Sequence, residues 1–387
     1  ESIDPRTPEI TTVGRDVVQV VASRCAEPEY PIDRKHLMAH QAVLEALLAS
    51  GRTVLPVRFN TVTDPGVARA KNRLLRRVLE ERRQRTDDNP NALAWEKFTG
   101  ILRPGTGYAH PIIGWRREIE QYQPDMAQHW YERWYMPGNA TLVIVGDVTL
   151  DQVKPQVERF FGQIPARPVP SRPEPRQADI AGERRLNLVL PVQVPTLYMG
   201  WNLPSLRTAD DPHEFYVLSM LSGVLDGGSS ARIERHLVRG QRLAAGAGAS
   251  YQGLARGDGV FVVSATPNPG VALDDLEAAI EVEIRAIAET PPDQTELDRV
   301  RAQVLASHVF GQDSLFGQAM ELGYLSMLGV DWRLRANMAE ALAAVTPEDV
   351  SAAARRYLVA QRRAVAHVQP QVQESKVQAP EGGSHDE

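Results

Sequence analysis

Residues 124–147, PDMAQHWYERWYMPGNATLVIVGD, and residues 347–370, PEDVSAAARRYLVAQRRAVAHVQP, share one pattern. Each segment has a helical part that ends in an aromatic residue, then a short turn, and then an apolar run that predicts a strand. Tyr135 and Tyr357 occupy equivalent places in the two segments. A helix-turn-strand pattern that recurs within one chain indicates two copies of a single domain.

A proline-rich stretch, PARPVPSRPEPRQAD, separates the two copies and predicts an extended linker. We expect the linker at residues 166–183, the second copy at residues 184–370 and a disordered tail at residues 371–387. The first copy, at residues 66–165, is too short at its front when it is compared with the second. Residues 1–65 resemble nothing in the second copy, and their apolar pattern predicts a small β-α-β unit.

Composition excludes several classes of protein. Hydrophobic residues make up 43% of the 387 residues and charged residues 24%, as in soluble globular proteins. The net charge of −6 gives no reason to expect nucleic acid as a partner. Cys25 is the only cysteine, which excludes an intrachain disulfide and a thiolate metal cluster. No apolar run approaches the ~20 residues that span a membrane, and the start, ESIDPRTPEI, shows no signal peptide.

The secondary structure of both copies can be predicted in outline. In the first copy, the segment from residue 124 predicts a helix, a turn and a buried strand, and LDQVKPQVERFFGQI predicts the next helix. In the second copy we expect strands at residues 186–192, in TLYMGWNL, around AAGAGASYQG and in GVFVVSATPN, with helices between and after them. Two helix starts fit a capping box, one at Thr346 with Asp349 and one at Asp293 with Glu296.

Two histidines are the candidate metal ligands. His36 and His40 are four residues apart in a predicted helix, DRKHLMAHQAVLEALLASG, so both imidazoles would leave the same face. This is the spacing by which a helix offers two nitrogen ligands to zinc. The inverted zinc-peptidase motif H-x-x-E-H also requires a glutamate before the second histidine, and Ala39 is in that place. The alternative explanation is a packed helix face.

Seven segments in the same order resemble the pitrilysin/insulinase family of zinc metallopeptidases over about residues 75–370. They are VLEERRQRTDDNPNALAWEKF, GYAHPIIGW, WYERWYMPGNATLVIVGDV, FFGQIPARP, LSGVLDGGSSARIERHLV, VFGQDSLFGQAMELGYL and AVTPEDVSAAARRYL. The resemblance implies an α+β fold of two homologous layered domains with mostly antiparallel sheets packed by helices, the first truncated and preceded by the β-α-β unit. It also implies that extended peptides bind by adding a strand to a sheet edge.

The zinc site that the resemblance implies is incomplete in this chain. In the family, an H-x-x-E-H helix near the start of the first domain and a later glutamate supply the ligands, before the landmark seen here at Glu80. His40 lies only 40 residues before Glu80, which leaves no room for the elements that carry the third ligand. Glu118 and Glu120 lie after the landmark. We therefore expect no catalytic or cofactor-binding residues, and zinc only if a site survives.

A second family feature is also absent. Some relatives carry an Arg and a Tyr seven residues apart after the Gly-rich turn of the second domain, where they help to hold the substrate and the developing oxyanion. The segment HLVRGQRLAAGAG has Val238 and Ala245 at those places, with Arg239, Arg242 and Tyr251 out of register. Relatives without this pair usually work beside a chain that supplies it. The resemblance thus implies extended peptides or a homologous peptidase-like subunit as partners, or a dimer.

Residues 16–65 resemble a different group, the gas-vesicle accessory proteins of the F/L type. The segment YPIDRKHLMAHQAVLEALLASGRTVLPVRFNTV contains the helix with AHxxV and the strand VLPVRFGTV that are typical of them, except that Asn60 replaces the usual glycine. His40 would then be the histidine of that helix. This resemblance favours a packed, hydrogen-bonded histidine over a metal ligand.

Other motifs have simple structural explanations. His110, in GYAHPIIGW, and the turn DGGSS belong to segments that the resemblance explains as structural, and no phosphate-binding G-x-x-x-x-G-K-[ST] is present.

The function that these patterns favour is peptide or partner binding by a metallopeptidase-like protein that is catalytically impaired. One alternative is an active zinc metalloendopeptidase that uses His36 and His40. The others are a gas-vesicle assembly protein and a non-natural fusion. An incomplete first sheet would expose an unpaired edge, which predicts aggregation or dimerisation. Relatives are often periplasmic or exported, but the sequence does not indicate a compartment.

Overall fold

The computed structural model describes residues 76–175, 178, 180 and 182–371. The predicted β-α-β unit, with His36 and His40, and the predicted tail from residue 372 onward lie outside the described residues. No helix of the described part is long and apolar enough to cross a membrane. The division into four domains and a linker stays a prediction.

The described residues of the first copy form helices. Residues 76–82 are helical and continue into a π-helical turn, Arg83–Asp87. Four α-helices follow: α1 (Pro90–Leu102), α2 (Arg116–Ile119), α3 (Pro124–Trp134) and α4 (Leu150–Phe161). The start of α1 is set by Asn89, whose side chain accepts a hydrogen bond from the Ala92 N–H, with Pro90 at the first helical position.

The second copy forms a five-stranded sheet. Its strands are β1 (Arg184–Leu190), β2 (Thr196–Leu203), β3 (Ala244–Gln252), β4 (Gly259–Pro267) and β5 (Arg363–Pro370). Their order across the sheet is β1-β5-β2-β4-β3. Only β1 and β5 run parallel, and the other neighbours are antiparallel. The predicted α+β fold with a mostly antiparallel sheet is confirmed.

The described part of the second copy also contains six α-helices. They are α5 (His213–Asp226), α6 (Leu273–Glu289), α7 (Gln294–Gly311), α8 (Leu315–Leu328), α9 (Met338–Ala343) and α10 (Pro347–Tyr357). The capping box predicted at Thr346 and Asp349 forms in both directions. At the other predicted start, the Asp293 side chain accepts a hydrogen bond from the Glu296 N–H at 2.7 Å. The main core lies between the sheet and α5, α6 and α10, around the fully buried Trp201 and Phe261.

Helix α1, from the first copy, packs on the opposite face of the sheet. Phe98 and Leu102 are fully buried there, against small and β-branched residues of β4 and β5. The approach is close at Gly200 of β2, where a Cβ atom would lie 2.8 Å from Leu102 Cδ1 and 2.9 Å from Phe98 Cζ. The Asn202 side chain donates a hydrogen bond to the Leu102 carbonyl, which fixes the end of α1 on the sheet.

A buried ion pair connects α1 to the helix before it. The Arg82 guanidinium donates two hydrogen bonds of 3.0 Å to the Glu96 carboxylate and one of 2.8 Å to the Gly114 carbonyl. Both side chains are buried, and the hydrogen bonds to Glu96 raise the pKa of Arg82. Removal of one partner would leave a buried, uncompensated charge, so this pair is sensitive to substitution.

The strand predicted after α3 is wrong. Residues 141–147 form no strand, and only Val145 makes an isolated β-bridge. The equivalent strand of the second copy, β5, lies between β1 and β2, so its backbone groups are paired on both sides. In the described part of the first copy no such neighbours exist. An apolar run can become a strand only where a partner satisfies its N–H and C=O groups.

The packing of α1 predicts a large effect of one substitution. Phe98→Ala should lower the free energy of unfolding by about 3–5 kcal/mol, because it removes a fully buried ring and leaves a cavity against β2. Lys97→Ala, at the neighbouring exposed position, should change it by less than about 0.5 kcal/mol. Urea unfolding followed by circular dichroism measures both. Equal midpoints for the two variants would contradict the packing of α1 on the sheet.

Candidate functional site

A groove lies beside α1, on the side of the sheet that ends in β3. It is lined by residues of α1, the end of α5 and strands β2, β3 and β4: Trp95, Tyr198, Asp226, Gly248, Ala249, Ser250, Val262 and Ser264. The register pairs Tyr198 with Ser264 and Ser264 with Gly248, so the groove crosses three adjacent strands.

One wall of the groove is aromatic. Trp95, which is 39% exposed, meets Tyr198 edge to face with ring centroids 5.5 Å apart. Phe98 stacks on Tyr198 at 5.4 Å and lies 5.6 Å from the Trp95 ring, so the three rings form one cluster. Burial raises the pKa of Tyr198, so its phenol stays neutral. The wall therefore offers a fixed apolar surface with one hydroxyl group.

The floor of the groove consists of small residues on β3. Asp226, at the end of α5, accepts a hydrogen bond from the Ala249 N–H at 3.0 Å. Its Oδ2 atom lies 2.9 Å from where a Cβ atom of Gly248 would be, so a larger residue there would displace the carboxylate. Ser222 donates a hydrogen bond of 3.3 Å to the Ala249 carbonyl.

These contacts limit how the edge of the sheet can be used. β3 is an edge strand, and both backbone groups of Ala249 are already bonded to side chains of α5. Strand addition at this point would first require Asp226 and Ser222 to move. Covered backbone groups are a common protection of edge strands. The groove is therefore better suited to a chain that lies across the face of β3 and β4.

The lining of the groove has the composition of a ligand site. It combines an aromatic wall, a floor of glycine, serine and valine, and the Asp226 carboxylate. The lining contains two serines but neither histidine nor cysteine. Concave sites with apolar walls and a few polar groups are typical ligand sites.

One group of side chains in the described ranges has the residue types of a metal site. It consists of Asp274, Glu277 and His367. His367 Nε2 lies 2.7 Å from Glu277 Oε2, and His367 Nδ1 lies 3.9 Å from Asp274 Oδ1. Two guanidinium groups reach the same carboxylate: Arg185 at 2.6 Å and Arg363 at 3.3 Å from Glu277 oxygens.

This group does not fit zinc. A divalent cation beside Glu277 would be repelled by two arginines that already occupy the carboxylate oxygens. Burial acts to raise the pKa of Glu277, but hydrogen bonds from His367 and Arg185 outweigh it and hold the value at about 2. The cluster is an ion-pair network that joins β1 and β5 to α6. This network could not be predicted from the sequence, because His367 lies within an apolar strand.

The structure places the other sequence candidates in structural roles. His110 Nε2 lies 2.6 Å from Glu118 Oε2 at the surface, and this contact lowers the pKa of Glu118. Glu118 therefore pairs with His110 within the described part. Gly228, in the DGGSS turn, has a φ of 87°, which requires glycine for this tight turn.

The structure also describes the positions at which relatives carry the Arg–Tyr pair, and the nearby Arg239 and Tyr251. Val238 packs against the core, and Ala245 is exposed on β3. Arg239 donates a hydrogen bond to the Ser229 carbonyl. Tyr251 donates one to the Pro204 carbonyl, and burial raises its pKa. Both side chains are therefore engaged in hydrogen bonds to backbone carbonyls of the second copy.

The Glu277 network predicts a pH effect on stability. Glu277→Gln should lower the free energy of unfolding by about 3 kcal/mol at neutral pH, because a pKa lowered from 4.5 to about 2 corresponds to that amount. The folded-state pKa is the lower one, so this stabilisation is complete above pH 4.5 and is lost as the pH falls towards 2.

Urea unfolding between pH 7 and pH 2 tests this effect. The wild-type protein should lose stability more steeply than Glu277→Gln below pH 4.5, whereas Glu289→Gln, an exposed change on the same helix, should follow the wild type. Parallel profiles for wild type and Glu277→Gln would contradict the role of the network.

Comparison with known protein families gives two matches. Residues 122–304 match the family described as "Peptidase M16 inactive domain", which is slightly less than half of the chain. Residues 4–93 match the family described as "Gas vesicle synthesis protein GvpL/GvpF". Both resemblances seen in the sequence are confirmed.

Individual relatives agree with the first match. The zinc protease PqqE of Helicobacter pylori is 26% identical over 243 residues, which are 61% of this chain and 53% of that protein. The crystal structure of a protease from Helicobacter pylori has a TM-score of 0.71 at 21% identity and covers 78% of this chain and 72% of its own.

A second solved structure supports the same fold. The peptidase M16 inactive domain from Pseudomonas fluorescens has a TM-score of 0.67 at 18% identity and covers 79% of this chain and 71% of its own. At these identities the structures establish the fold alone. The chain spans about half the length of the curated relative that it matches.

Proposed function

We propose that this chain is a catalytically impaired relative of the pitrilysin/insulinase (M16 peptidase) family of zinc peptidases. Residues 122–304 match the M16 inactive-domain family, and the resemblance in the sequence extends over about residues 75–370. We propose that it binds extended peptides without cutting them. The observation that carries the proposal is the groove between α1 and β3, with its aromatic wall and its single carboxylate.

The sequence supports the loss of catalysis. No H-x-x-E-H motif occurs in the 387 residues, and Ala39 stands where the motif has its glutamate. That glutamate acts as general base on the zinc-bound water, a role worth roughly 10²–10⁴ in rate. Zinc held by His36 and His40 alone would lack this base. A peptidase site built on these two histidines remains the alternative enzyme hypothesis.

The groove suggests which peptides bind. An aromatic or aliphatic side chain would pack on Trp95 and Tyr198, and the small residues Gly248 and Ser264 would let a backbone approach the sheet closely. Asp226 places a negative charge at one side of the groove, so a lysine or arginine in the peptide is favoured over an acidic residue. We therefore propose a peptide that combines an apolar anchor with a basic residue.

The comparisons also suggest a kind of partner. The 243 aligned residues are 53% of the zinc protease PqqE, so about half of that relative has no counterpart in the alignment. We propose that the chain works beside a homologous peptidase-like subunit or as a dimer. The division at residues 65, 165 and 183 belongs to the same proposal, and limited proteolysis tests it.

The gas-vesicle match favours a second candidate function, a role in gas-vesicle assembly. Flotation of the purified chain with intact gas vesicles tests this candidate. Recovery of the chain in the floating fraction would support it, and recovery only in the soluble fraction would contradict it.

The peptide proposal predicts a specific effect of Trp95. Trp95→Ala should weaken the binding of a fluorescein-labelled peptide, selected from a library of extended peptides, by about tenfold, because an exposed aromatic anchor contributes roughly 1–2 kcal/mol. Trp332→Ala removes a tryptophan that does not line the groove and should leave the affinity unchanged.

Fluorescence anisotropy measures both affinities, and mass spectrometry should recover the bound peptide intact. Equal affinities for wild type and Trp95→Ala would contradict binding in the groove, and cleaved peptide would contradict the loss of catalysis.

A further inference from the structure

Three arginine side chains are buried in the described part of the chain, and Arg103 differs from the other two. Arg82 donates hydrogen bonds of 3.0 Å to Glu96, and Arg363 donates one of 2.6 Å to Glu183. Arg103, the residue after α1, is only 8% exposed, and its guanidinium forms no hydrogen bond or ion pair with any described residue. Burial lowers its pKa, whereas the hydrogen bonds to Glu96 raise the pKa of Arg82. Arg103 is therefore a buried cation without a bound counter-charge.

The surroundings of Arg103 hold the side chain in place without pairing its charge. Its guanidinium carbon lies 4.4 Å from the centre of the Tyr108 ring. The Tyr108 hydroxyl accepts hydrogen bonds of 3.0 and 3.3 Å from the Arg256 and Gly257 N–H groups, in the loop between β3 and β4. In the same loop, Asp258 acts on Arg103 from a distance, without an ion pair. None of the guanidinium nitrogen atoms is sealed from solvent, so their N–H groups are available to a ligand.

Both sides of the peptide groove lead towards Arg103. Strand β4 contributes Val262 to the groove, and Val260, on the same face of the strand, packs against α1. Two residues earlier is Asp258, the acidic neighbour of Arg103. Along the chain, Arg103 follows Trp95 of the groove wall by eight residues, which is about 12 Å at a helical rise of about 1.5 Å per residue. A ligand that extends from the groove along α1 to the β3–β4 loop therefore approaches Arg103.

The chemistry of the guanidinium defines the kind of group that it binds. Its N–H groups lie in one plane and form a fork that matches the two oxygens of a carboxylate. Because the guanidinium stacks on the Tyr108 ring, its plane is fixed before a ligand arrives. A charge-assisted hydrogen bond in a largely buried place is stronger than one in water. Carboxylates are also the anionic groups that an unmodified peptide carries.

We propose that Arg103 is an anion subsite of the peptide groove and binds a carboxylate of the peptide. The inference deepens the proposed function and rests on it for the identity of the ligand. An extended chain advances about 3.3–3.6 Å per residue, so about four residues separate the side chain on Trp95 from the carboxylate on Arg103. The carboxylate belongs to an acidic side chain or to the C-terminus of the peptide. Together, Asp226 and Arg103 select a peptide that carries both a basic residue and an acidic group.

Synthetic peptides test this inference by fluorescence anisotropy. Each fluorescein-labelled, C-terminally amidated peptide has one lysine, one phenylalanine and one glutamate placed four residues before or after the phenylalanine. The wild-type protein should bind the better of the two at least tenfold more tightly than its glutamine counterpart, because a hydrogen bond between charged groups contributes about this factor. A peptide that ends at the same position with a free carboxylate and no glutamate distinguishes the two sources of the anion.

Substitution of Arg103 should remove this preference. Arg103→Met keeps an apolar stem and should bind the glutamate and glutamine peptides equally. Arg103→Lys keeps the charge but loses the fork, so the preference should be reduced rather than abolished. Arg285→Gln removes an exposed arginine of α6, which does not line the groove, and should retain the wild-type preference.

Thermal unfolding distinguishes an anion subsite from a purely structural arginine. Arg103→Met removes a buried charge that has no bound partner, so its thermal midpoint should equal or exceed that of the wild type. A structural role would instead make this variant less stable than Arg285→Gln. Circular dichroism measures the midpoints and shows whether each variant is folded.

A second probe separates failure of this inference from failure of the proposed function. Millimolar succinate, compared with sodium chloride at equal ionic strength, should raise the thermal midpoint of the wild type but not that of Arg103→Met. If none of the peptides binds but succinate has this effect, the proposed function fails and the anion subsite remains. If the peptides bind but glutamate gives no preference, or Arg103→Met keeps the preference, the inference is overturned and the proposed function remains. Absence of both peptide binding and a succinate effect specific to Arg103 would overturn both.

Discussion

The close contact between α1 and β2 determines the arrangement of the described residues. Gly200 lets Phe98 and Leu102 reach the sheet, and any side chain at this position would push α1 away. Helix α1 comes from the first copy but buries its apolar residues on the second. The described residues of the first copy form no sheet, and α1 contributes instead to a core on the sheet of the second copy. The helices that do not reach this sheet, α3 and α4, remain without a buried side.

The same contact produces the candidate site. Helix α1 packs on β1, β5, β2 and β4, and the groove lies beside Trp95 on the side of the other edge strand, β3. Asp226 and Ser222 bond the backbone of Ala249 at the sheet edge, which turns a potential pairing edge into a protected one. Arg185, Arg363 and His367 of the sheet do not line the groove; they form the ion-pair network around Glu277. The groove itself offers an aromatic wall and the Asp226 carboxylate, and the proposed binding of peptides depends on these two features.

The sequence predicted the second copy well, because its elements carry local signals. The segment TLYMGWNL was predicted as a strand and coincides with β2, and the capping box at Thr346 marks the start of α10. The strand after α3 was predicted wrongly, since strand formation depends on partners that an apolar run does not reveal. The groove and the Glu277–His367 contact could not be predicted, because they join residues far apart in the sequence. For His36 and His40, the metal hypothesis stays a prediction.

The most direct test of the account is zinc content and peptide turnover, measured together on the full chain. The wild type and a His36→Ala/His40→Ala variant would be purified alike, analysed for metal, and incubated with the groove-binding peptide. The account predicts that both proteins bind the peptide equally and that mass spectrometry recovers it uncut, with or without added zinc. About one zinc per wild-type chain, with cleavage that disappears in the variant, would contradict the account and establish an active peptidase site at the two histidines.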